Sequence, residues 1–260
     1  MIDNFATSTR GSGPGLLLAH GAGGGVEANF APLIDELART HTVIGSDYPG
    51  SGATPRSTTP LSLDGLADSL VAAAVRAGVP RFTVLGYSLG TAVAVRAATR
   101  HPERVTGLIL TAGFSRLDNR MRLGIEIWRR LLDGDRRTLA EFLTYAATDP
   151  VRLAELTPEA LGRAVENLAA TIPPGSPEHV DLVASVDTRA ELPRISVPTL
   201  VVATTRDQLV SADLGRELAH GIPGARLVEI DCGHAIGAEA PAEWLKVVTD
   251  FLRRPQAADA

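Results

Sequence analysis

The sequence predicts an α/β fold: a mostly parallel central sheet flanked by helices. Three observations lead there. Short apolar runs alternate along the chain with longer amphipathic segments. The runs end in small or polar residues, as strands feeding loops do. Strands that alternate with helices need crossover connections, which lay helices on both faces of a parallel sheet.

The elements follow in order. Leu16 to Ala19 reads as a strand, and a helix follows around Phe30 to Arg39, with Phe30, Leu33, Ile34 and Leu37 at helical spacing. Thr42 to Gly45 is the next strand, ended by the turn-rich loop Tyr48-Pro49-Gly50-Ser51-Gly52. A helix over Leu61 to Ala77 precedes a buried strand, Phe82 to Leu85, and Thr91 to Arg100 continues as an alanine-rich helix. Val105 to Thr111 is a further strand; Thr199 to Ala203 and Arg226 to Ile230 are the last two. Helices around Asp213 to Ala219 and Pro241 to Leu252 follow these.

One stretch breaks the rhythm. Gly113 to Val197 carries helical patterns around Arg120 to Leu132, Thr138 to Ala146 and Pro158 to Leu168, with no convincing strand. It is too long for a plain connection and reads as a helical insertion. The expected organisation is therefore a core of residues 1–112 and 198–260 with an inserted helical unit at 113–197. The tail Pro255 to Ala260 is expected to fray.

Composition excludes several classes. With 45% hydrophobic and 21% charged residues the chain has globular composition, and a formal charge of −5 offers no overall positive field for nucleic acid. A single cysteine, Cys232, rules out an internal disulfide and a cysteine-rich metal site. The start Met1-Ile2-Asp3-Asn4-Phe5 lacks a basic segment followed by an apolar one, and no apolar run approaches the roughly 20 residues that span a bilayer. A cytoplasmic protein without a membrane partner is expected.

The chemistry gathers at one sheet edge. Gly86-Tyr87-Ser88-Leu89-Gly90 follows a strand and opens a helix, where a serine can sit on a sharp turn with its hydroxyl exposed. A serine hydroxyl is a weak nucleophile without a base, so a histidine should lie at the same end of the sheet. Of six histidines, His101 ends a helix, and His41 and His220 lie at helix-to-strand connections on the opposite edge. His179 falls in the insertion and His20 precedes a glycine-rich loop. His234, directly after the last strand, is the expected base. Asp207 follows the strand Thr199 to Ala203 and is expected to fix its tautomer, although the adjacent Arg206 is a rival partner. The oxyanion donors are expected to be the amides of Leu89 and of Ala22, the latter within His20-Gly21-Ala22-Gly23-Gly24-Gly25, with Gly23 the second choice in that loop. No phosphate-loop ending, dinucleotide fingerprint or His-Glu-x-x-His occurs, so no metal or cofactor is expected.

From Leu16 to about Leu252 the chain resembles the α/β-hydrolase superfamily. The matching pieces are His20-Gly21-Ala22-Gly23, Asp47-Tyr48-Pro49-Gly50-Ser51-Gly52, Gly86-Tyr87-Ser88-Leu89-Gly90, His101-Pro102-Glu103-Arg104-Val105, Val197-Pro198-Thr199-Leu200, Asp207 and Gly233-His234. The resemblance implies an eight-stranded, mostly parallel sheet with a helical cap inserted after the sixth strand, and relatives among capped esterases, lactonases, carbon–carbon bond hydrolases and thioesterases. The segment before Gly15 is short, which leaves room for one edge strand to be missing.

The expected function is cleavage of an ester, lactone or thioester of a small to medium apolar acyl compound through an acyl-enzyme on Ser88. Alternatives on the same residues are carbon–carbon bond hydrolysis, acyl transfer or cyclisation, and a further one is a ligand-binding protein. Phe114, Ile125, Trp128, Leu131, Leu132, Phe142 and Tyr145 supply apolar surface in the insertion, with Trp128 and Tyr145 expected at the substrate. Arg116, Arg120, Arg122, Arg129, Arg130, Arg136 and Arg137 form a basic cluster there, a candidate surface for an acyl carrier protein.

Overall fold

The computed structural model describes residues 5–253; the expected frayed tail at Pro255 to Ala260 lies outside them. Seven strands form one sheet: β1 (Thr7–Arg10), β2 (Gly15–Ala19), β3 (Thr42–Ser46), β4 (Phe82–Tyr87), β5 (Val105–Thr111), β6 (Thr199–Thr204) and β7 (Arg226–Ile230). Their order is β1-β3-β2-β4-β5-β6-β7. Only β1 runs antiparallel, pairing with β3 from Thr7 opposite Ser46 to Arg10 opposite Val43.

The helices α1 (Val26–Leu37), α2 (Leu63–Arg76) and α3 (Leu89–Arg100) connect the first parallel strands. Between β5 and β6 come α4 (Asn119–Leu131), α5 (Arg136–Ala147), α6 (Pro150–Glu155), α7 (Pro158–Thr171) and α8 (Ser176–Ala184). The chain then closes with α9 (Ala212–Gly221), α10 (Ile236–Glu239) and α11 (Pro241–Leu252). None of the helices in the described residues is long and apolar enough to cross a membrane.

Strand periodicity divides the core between two faces. Leu17, Val84, Leu108 and Val201 pack with α2, α3 and α9, while Leu16, Leu18, Leu85, Ile109 and Val202 pack with α1 and α11 through Phe30, Leu33, Trp244 and Phe251. Both faces being covered explains why β2, β4 and β6 are mostly apolar and buried at every residue, the threonines Thr83, Thr199 and Thr204 included.

The strand count corrects one expectation. The described residues hold seven strands rather than eight, and the helical insertion follows the fifth of them. Only one short strand precedes β2, and its sequence Thr-Ser-Thr-Arg is exposed at all four positions. Such an edge strand carries no apolar signal.

The parallel register aligns the carboxyl ends. Ala19 pairs with Gly86, Tyr87 with Thr111, and Thr204 with Ile230. The loops that start at His20, Ser88, Thr205 and Asp231 therefore open on one edge, where sheets of this kind assemble sites.

Candidate active site

Ser88 occupies the turn between β4 and α3 at φ 53° and ψ −120°, a backbone conformation that costs a non-glycine residue about 1–3 kcal/mol. Its neighbours make the turn possible. A Cβ on Gly86 would fall 2.5 Å from the carbonyl oxygen of Gly90, and one on Gly90 would collide with the carbonyl of Ala19. Two bonds lock the strained residue: the Ser88 amide donates to the Thr111 carbonyl at 2.9 Å, and the Thr91 hydroxyl donates to the Ser88 carbonyl at 2.7 Å.

The structure brings Ser88, His234 and Asp207 together. His234 Nδ1 lies 2.6 Å from Asp207 Oδ2, and its Nε2 lies 3.1 Å from Ser88 Oγ. The carboxylate accepts from Nδ1–H, which leaves Nε2 as the lone pair facing the serine hydroxyl. Asp207 accepts three further bonds, from the Thr204 hydroxyl at 2.9 Å and from the amides of Leu209 and Val210 at 2.8 Å each. All three side chains are shielded, Ser88 being 8%, His234 6% and Asp207 5% exposed.

Arg206, the rival partner of Asp207, turns away. It pairs with Asp231 and reaches Asp149 at 3.2 Å. Asp207 keeps its oxygens for His234 and for its own loop.

The His234 loop is held by residues that the sequence does not single out. Tyr87 packs its ring against the imidazole at 5.2 Å and donates its hydroxyl to the His234 carbonyl at 2.7 Å. Glu239 accepts from the amide of Gly233 at 2.6 Å and from that of Asp149 at 2.9 Å, tying the loop to the insertion. These are long-range contacts without a sequence pattern; the position of Tyr87 beside the serine is the one available signal.

The loop after β2 passes close by, since a Cβ on Gly21 would meet Cβ of Ser88 at 3.2 Å. Its amides are used unequally. Gly21 N–H donates to Asn29 Oδ1 at 2.9 Å and Gly23 N–H to His179 Nδ1 at 3.3 Å. Among the described residues the amides of Ala22 and Leu89 have no hydrogen-bond partner.

The two expected substrate residues separate. Trp128 is buried, its six-membered ring edge faces Gly23, and its indole N–H has no partner among the described residues. Tyr145 instead lies 61% exposed on α5, and its carbonyl accepts from the Gln208 side chain at 3.3 Å. The helical face that carries Leu139, Leu143 and Ala146 is the buried one, and Tyr145 falls outside it. No cluster of three or more metal-ligating side chains occurs among the described residues.

The basic cluster is largely engaged within the protein. Arg116 pairs with Glu217 at 2.7 Å, Arg129 with Asp181 at 2.9 Å, Arg130 with Glu126 at 3.1 Å and Arg137 with Glu141 at 3.2 Å. Arg136 donates to the carbonyls of Ala169 and Ile172 at the end of α7.

A parallel sheet with a strained serine turn, and an acid and a histidine on later strand ends, defines a class of protein. The chain belongs to the α/β hydrolase fold family, whose pattern matches residues 14–241, and it is a hydrolase of that family. It is 32% identical over 244 residues to the pyrrolizixenacetamide deacetylase of Xenorhabdus hominickii, which covers 93% of this chain and 92% of that protein. It is 33% identical over 241 residues to the pimeloyl-acyl-carrier-protein methyl ester esterase of Stenotrophomonas maltophilia, covering 89% and 88%. Among solved structures, a hydrolase from Pseudomonas aeruginosa superposes with a TM-score of 0.84 at 27% identity, covering 95% and 94%.

Proposed function

We propose that this protein is a serine hydrolase that cleaves an ester, lactone or thioester of a small to medium apolar acyl compound. The observation that carries the reading is the pair of contacts at His234, 3.1 Å to Ser88 Oγ and 2.6 Å to Asp207 Oδ2. His234 Nε2 takes the proton of Ser88 as its Oγ attacks the substrate carbonyl, and Asp207 stabilises the imidazolium that forms. The Ala22 and Leu89 amides receive the oxyanion, without first having to break another bond. As the tetrahedral intermediate collapses, its C–O or C–S bond to the leaving group breaks and the imidazolium protonates the departing oxygen or sulfur, leaving an acyl ester on Ser88. Water activated by His234 then cleaves that ester and releases the acid.

In this reading residues 113–197 act as a cap over the site and Trp128 contributes apolar surface to the acyl group. Tyr145 is left out because of its exposure. A free small molecule is preferred over a carrier-bound substrate, since most of the arginines that would face an acidic carrier protein already have internal partners. A cytoplasmic setting accompanies this reading.

The test is Ser88→Ala assayed on a panel of p-nitrophenyl acyl esters. The expected loss is about 10⁴-fold or more in kcat, with folding unchanged by circular dichroism. Parental turnover by the variant would remove the reading.

A further inference from the structure

Beneath the loop after β2 lies a group of buried polar rings outside the Ser88, His234 and Asp207 constellation. His20 stacks on Tyr48 with ring centroids 3.8 Å apart, and His179 stands edge-on to both at 5.9 and 6.0 Å. His20 belongs to the core and His179 to α8 of the insertion. His179 is fully buried, and its environment fixes its tautomer. Nε2 is 3.0 Å from the Pro49 carbonyl, an acceptor only, so Nε2 carries the proton. Nδ1 is then a lone pair, and it accepts from Gly23 N–H.

That bond completes a pattern along three consecutive amides. Gly21 is held from the core by Asn29 of α1, Gly23 is held from the insertion by His179, and the Ala22 amide between them is left unengaged. A peptide held on both sides has little freedom to rotate, so its N–H direction is fixed before substrate arrives. We propose that His179 is a positioning residue for the oxyanion loop, so that the Ala22 donor is aimed correctly only while α8 is docked. This rests on the serine-hydrolase reading above.

Further contacts show that α8 is built to deliver this side chain. The Gly175 amide donates to the Gly50 carbonyl at 3.1 Å. The two backbones approach so closely that a Cβ on Gly175 would clash with the Pro49 carbonyl, and Gly50 itself sits at φ 81°. Glu178, next to His179, receives a two-pronged bond from Arg56 at 2.8–3.0 Å. Trp128 of α4 also lies against Gly23, its ring 2.7 Å from where a Cβ would be. Burial pushes the His179 imidazole down to about 4 against an opposing pull from Glu178, which keeps it neutral and able to accept at neutral pH.

Two substitutions separate positioning from docking, because asparagine reproduces the Nδ1 position of histidine and glutamine the Nε2 position. His179→Gln keeps a donor for Pro49 and loses the acceptor for Gly23; His179→Asn does the reverse. Loss of a whole oxyanion donor costs about 10²–10³ in turnover, so releasing its tether is expected to cost about tenfold or more. His179→Gln should therefore lower kcat on p-nitrophenyl butyrate by about that factor with KM nearly unchanged. It should weaken inhibition by butylboronic acid, a tetrahedral mimic, by the same factor. His179→Asn should retain most of kcat and of the boronate affinity while losing thermal stability. Parental kcat and boronate affinity in His179→Gln, or a loss in His179→Asn larger than in His179→Gln, would overturn the proposal. Ser88→Ala in the same assay separates the two levels. If it retains turnover, the serine reading fails; if it is inactive while His179→Gln is parental, only the positioning role fails.

Discussion

The carboxyl edge of the sheet and the helical insertion are built on different principles. At the sheet edge, Ser88, Asp207 and His234 each leave the end of a parallel strand, and their separation follows from strand order and register. In the insertion, position depends on side-chain contacts made far from the chain neighbourhood, such as His179 on the loops of β2 and β3 or Glu239 on Asp149. The first arrangement is set by the backbone ladder of the parallel strands, and a few side chains such as Thr91, Tyr87 and Glu239 hold the loops that leave it. The second is adjustable, and it is there that one hydrolase can differ from another.

The contrast is broken most strongly at Asp207. In the proposed mechanism Asp207→Asn removes the charge that stabilises the His234 imidazolium and allows the wrong tautomer, so kcat on acyl esters is expected to fall by about 10⁴-fold with little change in KM. Steady-state kinetics near neutral pH check this. A loss of tenfold or less would mean that the acid at this sheet edge is dispensable.

Acid stability probes both regions at once. Burial lowers His20 to about 3 and His179 to about 4, from ordinary values of 6.5. Below pH 6.5 the unfolded chain takes up protons that the folded chain refuses, so their contribution to stability is complete above pH 6.5 and is lost as pH falls towards 4 for His179 and towards 3 for His20. The groups facing them, Tyr48, Glu178 and the carbonyls of Gly21 and Pro49, do not themselves change charge across the upper part of that window. Carboxylates held low by guanidinium partners, such as Asp68 and Asp231, add their losses at lower pH. The urea midpoint is expected to fall between pH 6.5 and 4, and less steeply in His179→Asn; a flat midpoint would show that neither imidazole is excluded from water.

Smaller effects test the supporting contacts. Tyr87→Phe removes the bond to the His234 carbonyl, worth about 1 kcal/mol. If that contact orients the base, kcat falls by about fivefold. Tyr145→Ala, on an exposed side chain of α5, is expected to leave both kcat and KM unchanged. A raised KM in that variant would return Tyr145 to the substrate site.

These differences follow what the sequence could and could not reveal. Buried parallel strands such as Leu16-Leu17-Leu18-Ala19 announce themselves by continuous apolar residues, and the turn residues after them mark the functional edge. Strand β1 does not, because an exposed edge strand of Thr-Ser-Thr-Arg has no buried face to pattern. Helix α8 is equally hard to see: nine residues beginning Ser-Pro-Glu-His give too few turns for a clear period, and His179 is its carrier. In sequence that histidine is only a residue of the insertion. Its relation to Gly23 spans 156 positions and exists only once α8 is docked. Tyr145 shows the converse, an aromatic at plausible spacing that the helix rotates outward.

The most direct measurement is active-site labelling with a fluorophosphonate, followed by peptide mass spectrometry. A nucleophilic Ser88, activated by His234, predicts one stoichiometric adduct on the peptide containing Gly86-Tyr87-Ser88-Leu89-Gly90, absent in His234→Ala and in protein unfolded before labelling. No adduct in the folded protein, or an adduct on a different residue, would contradict the assignment of Ser88 as the nucleophile.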